Sequence, residues 1–259
     1  MILLVNDDGI HAPGLRQLYR ELRSVTRQPV LAVAPTIQHS GQAHAITLDR
    51  GLTVTPVLDG DFFGFAIDGT PVDCLKLAIK VLAPEPPALV VSGINDGPNV
   101  GRSLFYSGTV GAAMEAAVEG FAAVAVSRDV DGGDFGPAAT YAARLAKACL
   151  GRRELVGSVV NVNLPATLTD LDAPLAMVPH GRSGFEERYR PQRSRTGHLT
   201  WHLSGTRVEL PDEGTTDAHL LAAGHPTLSL LKPNYNAPGD HLPERILRRL
   251  GAREITLTS

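Results

Sequence analysis

Apolar and polar positions form alternating blocks along the first two thirds of the chain, and each block is typical of a strand or a helix. Residues 2 to 5 are an apolar run that ends at Asn6-Asp7-Asp8-Gly9, the pattern of a buried strand closed by a turn. Pro13 then stands where a first helical residue would. The apolar residues after it recur at helical spacing: Leu15, Leu18, Tyr19 and Leu22. The pattern therefore predicts a strand followed by an amphipathic helix.

The same alternation continues further along the chain. Strands are predicted at VLAVAP (30–35), ALVVSG (88–93), AAVAVS (122–127) and SVVNVNLP (158–165). Helices are predicted from Thr70-Pro71 through about Leu82, over TVGAAMEAAVEG (109–120), and from Pro137 to Leu150. Alternating strands and helices favour an α/β fold, with a mostly parallel sheet and helices on both faces.

The pattern weakens after His180, where residues 181–205 are polar and rich in arginine. Two interpretations stay open: a long loop or protruding β-hairpin, or a basic arm that covers the active site or joins a partner subunit. A short helix over TTDAHLLAAG (215–224), a strand at PTLSLL (226–231) and a terminal helix over Leu242–Gly251 follow. We therefore expect one domain over residues 1–259, with an arm at about 182–215.

Composition narrows the function classes. The chain has 259 residues, 43% of them hydrophobic and 20% charged, with a net charge of −3. The chain contains no long apolar run, so we expect no membrane span. Met1 leads directly into the first strand, so we also expect no secretory signal. The two cysteines form no disulfide framework, which favours a cytoplasmic protein. The lack of a Lys/Arg block argues against a nucleic-acid duplex as partner, while a small anionic ligand stays possible.

Polar residues collect where the predicted strands end. Asp7 and Asp8 follow the first strand, Ser40 follows the second, and Asn95 follows the ALVVSG strand. Parallel sheets bind ligands beyond the carboxyl ends of their strands, so these oxygen donors should face one crevice. Such donors suit Mg²⁺ or Mn²⁺, and one bound cation would offset the repulsion between the adjacent carboxylates.

A second candidate element is the start of the small-residue helix, at Ser107, Gly108 and Thr109. Free backbone N–H groups and the positive end of the helix dipole make such a start an anion site, with Asn99 nearby; plain N-capping by Ser107 or Thr109 is the structural alternative. The sequence has no Walker or dinucleotide fingerprint. A metal beside an anion pocket indicates phosphate chemistry.

Several long motifs occur in the order found in one known family. They are LLVNDDGIHAPGL, HSGQAHAIT, GTPVDC, VVSGINDGPNVG, YSGTVGAAMEA, VNVNLP and the later GTTDAHLLAAGHPTLSLL. Through them the chain resembles the SurE family, the stationary-phase survival proteins, from Ile2 to about Leu231. The resemblance is dense through Asn163 and thin between Arg182 and Glu213.

The resemblance implies a Rossmann-like three-layer α/β/α fold with a C-terminal arm of β-hairpin and helix. It implies a divalent-metal-dependent phosphatase that releases phosphate from 5′ and 3′ nucleoside monophosphates, in some members also from short polyphosphate. It further implies a homodimer or homotetramer that exchanges the arm between subunits.

The resemblance assigns the cation ligands, whereas the phosphate contacts and the proton donor are candidates from the pattern of residues alone. One divalent cation would bind Asp7, Asp8, Ser40 and Asn95, and Asp7 or Asp8 would steer the attacking water that the cation activates. The phosphate would contact residues at the helix start and before it: Asn99, Ser107, Gly108 and Thr109. His44 lies nearest the loop that carries Ser40 and is the candidate proton donor.

Three other classes of protein share part of this pattern. A receiver domain also places an acidic pair after its first strand, but it is about half as long and needs an aspartate where this chain has Ser92-Gly93. A haloacid-dehalogenase phosphatase needs a DxD pattern, and its second aspartate would fall at Gly9. A non-catalytic metal- and nucleotide-binding regulator differs from an enzyme only by releasing no phosphate from AMP.

Overall fold

The computed structural model describes residues 1–129, 133–208, 215–234 and 249. The strands are β1 (Ile2–Val5), β2 (Val30–Pro35), β3 (Val54–Asp59), β4 (Phe62–Ile67), β5 (Leu89–Asp96), β6 (Ala123–Arg128), β7 (Val159–Leu164), β8 (Ala176–Met177), β9 (Gly184–Arg193), β10 (Leu199–Val208) and β11 (Thr227–Leu231). The α-helices are α1 (Pro13–Val25), α2 (Pro71–Leu77), α3 (Gly108–Val118), α4 (Gly136–Cys149) and α5 (Asp217–Ala222).

The central sheet of the described residues has the strand order β3-β4-β2-β1-β5-β6-β7-β11-β8. The run from β4 to β7 is parallel throughout, and the antiparallel pairs are β3 with β4 and β7 with β11. The predicted α/β fold with a mostly parallel sheet is therefore confirmed. Because β1 lies between β2 and β5, the loops after these three strands meet at one edge of the sheet.

Alternation along β1 divides the core into two layers. Ile2 and Leu4 pack with α1 and α4, whereas Leu3 and Val5 pack with α2 and α3. All four side chains are fully buried, as expected of a central strand covered on both faces. The continuous apolar run in the sequence is thus the direct signature of helices on both sides.

Helix ends follow the local chemistry that the sequence predicted. The Thr70 hydroxyl accepts from the Asp73 backbone N–H, and the Asp73 carboxylate accepts from the Thr70 backbone N–H, which together form a capping box. The helix predicted to reach Leu82 is α-helical to Leu77 and ends in a π-helical turn, Ala78–Leu82. Small residues along α3 let that helix approach the sheet and the loop after β2 closely.

The β3–β4 hairpin at the edge of the sheet was not predicted. Its turn contains Asp59, Gly60 and Asp61, and Gly60 has a φ of +60°. This Asp-Gly signal between two extended runs is typical of a tight hairpin and was available in the sequence. Most of β3 is exposed, so it lacked the apolar pattern on which the other strands were assigned.

The arginine-rich segment forms a separate two-stranded antiparallel sheet, β9 with β10, which confirms the β-hairpin and leaves a contact of the arm with a partner subunit as a prediction. The predicted terminal helix lies outside the described residues except for Arg249. Among the described residues, no helix is long and apolar enough to cross a membrane.

Candidate metal and phosphate site

Asn6, rather than either aspartate, closes the turn after β1. Its side-chain oxygen accepts from the Gly9 N–H at 3.2 Å, and its amide nitrogen donates to the Gly9 carbonyl oxygen at 3.2 Å. Gly9 has a φ of +102°, which a side chain at this position would strain. Because Asn6 meets the needs of the turn, the carboxylates of Asp7 and Asp8 are left for other partners.

Asp7 is 5% exposed and lies against the start of α3. The Thr109 hydroxyl donates to Asp7 Oδ1. A Cβ at Gly108 would lie 2.8 Å from Asp7 Cβ, so only glycine permits this approach. Burial raises the pKa of Asp7 to about 6, hydrogen bonds from the Thr109 hydroxyl and backbone partly oppose that rise, and the charge of Asp8 adds to it.

Asp8 is held between the loops that follow β2 and β5. Gln38 Nε2 donates to Asp8 Oδ1 at 2.9 Å, and the Asp96 backbone N–H donates to Asp8 Oδ2 at 3.2 Å. Burial raises the pKa of Asp8, while these two hydrogen bonds partly lower it. Asp8 therefore joins three loops that the sequence places far apart.

The structure brings Ser40 and Asn95 to the same edge. Ser40 is exposed and follows His39, whose backbone N–H donates to the Asp7 carbonyl oxygen at 2.8 Å. Asn95 is half-buried, and its Nδ2 donates to the Gly97 carbonyl oxygen at 2.6 Å, which leaves the side-chain oxygen available to a ligand.

This donor set fits a hard divalent cation. Neither Asp7 nor Asp8 forms an ion pair with a cationic side chain within the described part of the chain, and each is a carboxylate in a partly or fully buried setting. A divalent cation would supply the missing positive charge. No group of three or more His, Cys, Asp or Glu residues that could hold a metal occurs among the described residues.

The start of α3 has one partner that the sequence suggested and one that it did not. The Ser107 side chain accepts from the Val110 N–H at 3.0 Å, the N-cap contact that was the structural alternative. The hydroxyl of Thr109 bonds to Asp7 instead of facing open space. Thr109 therefore contacts a predicted metal ligand. The side chains of Ser107 and Thr109 both bond within the protein, whereas Gly108 has no side chain and presents only its backbone N–H.

Asn99 lies in a buried polar cluster. Its backbone N–H donates to Asn163 Oδ1 at 2.7 Å, and one of its two amide N–H groups donates to Ser127 Oγ at 2.7 Å. Its carbonyl oxygen accepts from Asn161 Nδ2 at 3.1 Å and Asn163 Nδ2 at 3.0 Å. The alternate asparagines of the VNVNLP motif thus fix the loop after β5, a role that sequence reasoning missed.

Asp217 is a second residue that sequence reasoning missed. It is fully buried and accepts backbone N–H groups from Gly101 at 3.0 Å, Gly181 at 2.9 Å and Ala218 at 2.8 Å. Asp217 therefore ties the loop before α3 to the base of the arm. From the sequence, Thr216-Asp217 indicated only the start of a short helix.

His44, the predicted proton donor, lies beside a cavity of about 350 Å³. Ser107 and the first turns of α3 line one side of this cavity, and apolar side chains including Leu104, Phe105 and Met114 line more of it. His44 Nε2 lies 2.7 Å from Glu115 Oε2. His44 thus lies against α3, the helix that begins at Ser107 and Gly108. Its hydrogen-bond partner there, Glu115, was not predicted.

The motifs that surround this geometry match a family model. The model described as Survival protein SurE matches residues 2–185. The chain belongs to the SurE family. A protein of Lawsonia intracellularis named 5'-nucleotidase SurE is 38% identical over 239 residues, which cover 91% of this chain and 94% of that protein. A protein of the same name from Desulfovibrio desulfuricans is 40% identical over 240 residues, which cover 89% of this chain and 91% of that protein.

A solved SurE structure shows the same fold. The crystal structure of the SurE protein from Aquifex aeolicus matches with a TM-score of 0.76 at 29% identity, covering 96% of this chain and 99% of that one. The SurE resemblance predicted from the motifs is thereby confirmed, together with the fold that it implied.

Proposed function

We propose that this chain is a divalent-metal-dependent phosphomonoesterase that hydrolyses 5′ and 3′ nucleoside monophosphates to nucleoside and phosphate. The observation that carries the proposal is the Asp7-Asp8 pair, which has no cationic partner among the described residues. Asp7 is held against the start of α3, and Asp8 is held by Gln38 and the Asp96 backbone. The name 5'-nucleotidase SurE of the relatives supports the same activity.

In this proposal Asp7, Asp8, Ser40 and Asn95 hold one divalent cation, Mg²⁺ or Mn²⁺. When bound, the cation supplies charge that polarises the phosphoryl oxygens and lowers the pKa of a water. The chain itself fixes the two carboxylates through Thr109, Gln38 and the Asp96 backbone, and they orient the attacking water by accepting hydrogen bonds from it.

The phosphate is placed at the start of α3. The Gly108 N–H, the Ser107 hydroxyl hydrogen and the second amide N–H of Asn99 are its proposed donors, and Thr109 contributes through Asp7. Small donors can surround the three terminal oxygens of a monoester, whereas a diester would leave some of them unpaired. Buried unpaired donors cost about 1–3 kcal/mol each, which disfavours cyclic nucleotides and internal nucleic-acid linkages.

The experiment is a phosphate-release panel with Mg²⁺, Mn²⁺ or excess EDTA. Its substrates are 5′-AMP, 3′-AMP, 2′,3′-cyclic AMP and a short polyphosphate. We expect cation-dependent release from both monophosphates and little from the cyclic diester. Full turnover in EDTA, or preferential cleavage of the cyclic diester, would contradict the proposal, and binding of AMP without release would identify a regulator.

We further infer a homodimer or homotetramer in which the arm contacts a partner subunit. Leu199, Trp201 and Leu203 alternate along β10 and therefore share one face, and they are 46%, 56% and 60% exposed. Tyr189, paired with Leu203 on β9, extends this apolar face. A second subunit would remove it from water.

We infer a single domain with a protruding arm. Cys74 and Cys149 are buried free thiols, which supports a reducing, cytoplasmic setting.

A further inference from the structure

The loop that carries His44 packs closely against α3. A Cβ at Gly108 would meet Asp7 at 2.8 Å, and a Cβ at Gly111 would meet the Ala43 carbonyl oxygen at 2.3 Å and His44 Cα at 3.3 Å. Gly111 is three residues after Gly108, about 4.5 Å further along the helix axis. The loop that carries His44 therefore packs on α3 about one turn after the place where Asp7 packs on it.

The loop is fixed on both sides of His44. Ala43 has a φ of +53°, uncommon for a residue with a side chain, and its N–H donates to the Tyr106 carbonyl oxygen at 3.0 Å. The Ala45 carbonyl oxygen accepts from the Thr70 hydroxyl at 2.7 Å. Such left-handed conformations persist when surrounding contacts determine them, and they cluster at functional sites.

Glu115 determines which ring nitrogen of His44 is free. Glu115 is 7% exposed, and burial alone would raise its pKa, but hydrogen bonds from Lys76 and His44 bring that pKa below its usual value. The group is therefore a carboxylate and can only accept. His44 Nε2 therefore carries the hydrogen that is donated to Glu115, and Nδ1 is the ring nitrogen that can exchange a proton with a ligand.

Lys76 keeps Glu115 charged without competing for the same oxygen. Lys76 Nζ donates to Oε1, whereas His44 occupies Oε2. The His44 side chain is 31% exposed and borders the cavity of about 350 Å³ that Ser107 also lines. A buried carboxylate that holds a half-exposed imidazole beside a ligand cavity is the arrangement by which proteins orient a histidine for proton transfer.

We propose that Glu115 is a positioning residue: by accepting from Nε2 it orients His44, so that Nδ1 protonates the oxygen that leaves as phosphate is released. This rests on the proposed phosphomonoesterase function. In the step, water oxygen bonds to phosphorus and the ester P–O bond breaks with its electron pair on the leaving oxygen. That oxygen takes the Nδ1 proton, one water proton stays on phosphate, and the other passes to solvent, which reprotonates His44.

The test compares leaving groups. An alcohol such as the ribose hydroxyl needs a proton to leave, whereas p-nitrophenolate leaves without one. We expect Glu115→Gln to lower kcat/KM for 5′-AMP by about 10- to 100-fold, less than the full contribution of about 100- to 10,000-fold from a general acid because His44 itself remains, and to change kcat/KM for p-nitrophenyl phosphate by less than about threefold. Equal losses on both substrates, or no loss on either, would overturn the proposal.

Glu119→Gln is the matched control. Glu119 lies one turn further along the chain from Glu115 and pairs with Lys76 and Lys80, but it has no contact with His44. We expect wild-type values on both substrates from this variant. A leaving-group contrast like that of Glu115→Gln would show that the charge network, and not the contact with His44, is responsible, and would overturn the proposal.

A second variant keeps the test valid if Glu115→Gln does not fold. If circular dichroism shows that Glu115→Gln is unfolded, His44→Gln takes its place, and the same contrast between the two substrates is required. Equal losses would then refute the proton-transfer role. A wild-type protein that releases phosphate from neither substrate, with any cation, would instead refute the proposed function itself.

Discussion

The hydroxyl of Thr109, at the second residue of α3, donates a hydrogen bond to Asp7 Oδ1 at the end of β1. Both groups are buried, at 0% and 5% exposure. The start of the helix and the acidic pair are thus one unit, in which an element proposed to hold phosphate also fixes a ligand proposed to hold the cation.

Thr109→Val tests this relationship, with Thr109→Ser as the matched control that keeps the hydroxyl. A hydrogen bond to a charged group contributes about 1.5–3 kcal/mol. We expect the valine variant to need at least about tenfold more cation for half-maximal phosphate release, and the serine variant to resemble wild type. An unchanged cation requirement with a raised KM for every monophosphate would assign Thr109 to the phosphate instead.

Asp7→Asn and Asp8→Asn each remove one charge from the proposed cation site. Phosphate release should fall by orders of magnitude, because cation-assisted water activation supplies much of the barrier lowering. Folding should survive in metal-free buffer, since the two carboxylates repel each other there. Asp59→Asn, at an exposed aspartate of β3, is the control. Full turnover by Asp7→Asn would refute the site.

Asp73 gives a pH-dependent prediction. Burial would raise its pKa, but bonds from the Thr47 N–H (3.0 Å), the Thr47 hydroxyl (2.6 Å) and the Thr70 N–H (2.9 Å) lower it below its usual value. A carboxylate with a lowered folded-state pKa stabilises the fold above about pH 4, and this stabilisation is lost as the pH falls through the folded-state value.

Asp73→Asn should therefore reduce the free energy of unfolding by about 1–2 kcal/mol at pH 7. The difference from wild type should shrink steadily below about pH 4. Urea titrations of both proteins from pH 7 to pH 3 measure it. A difference that stays constant across this range would show that the charge of Asp73 is not involved.

Asp217→Ala would leave three buried N–H groups unpaired, those of Gly101, Gly181 and Ala218. Each unpaired group costs about 1–3 kcal/mol, so we expect a loss of about 3 kcal/mol or more in the free energy of unfolding. Asp172→Ala, at a side chain that is 93% exposed, should have little effect. Equal stability of the two variants by urea denaturation would contradict the stabilising role of Asp217 between the loop before α3 and the base of the arm.

The arm offers a test of association. Trp201→Ser with Leu203→Ser removes the centre of the apolar face of β10, and we expect light scattering to show a shift toward the monomer mass. His202→Ser is the control, because His202 lies between them and points to the opposite face. A wild-type protein at monomer mass at micromolar concentration would remove the basis for the prediction.

The sequence by itself determined the α/β class, most element positions and the place of the acidic pair. These follow from local rules: period-two burial along a strand, helical spacing, prolines at helix starts and the meeting of strand ends at one edge of a parallel sheet. The motifs added the family, because several long segments in one order identify it without knowledge of their contacts.

Only the tertiary structure decided which partner each polar group has. Three hydrogen-bonded pairs are far apart in the sequence. The separations are 102 residues for Thr109 and Asp7, 71 for His44 and Glu115, and 64 for Asn99 and Asn163. Hydrogen-bond partners at such separations depend on how helices and loops pack on the sheet, and no local periodicity encodes that packing. For the same reason the sequence could place Thr109 at a helix start but could not tell whether its hydroxyl faces a phosphate or a carboxylate.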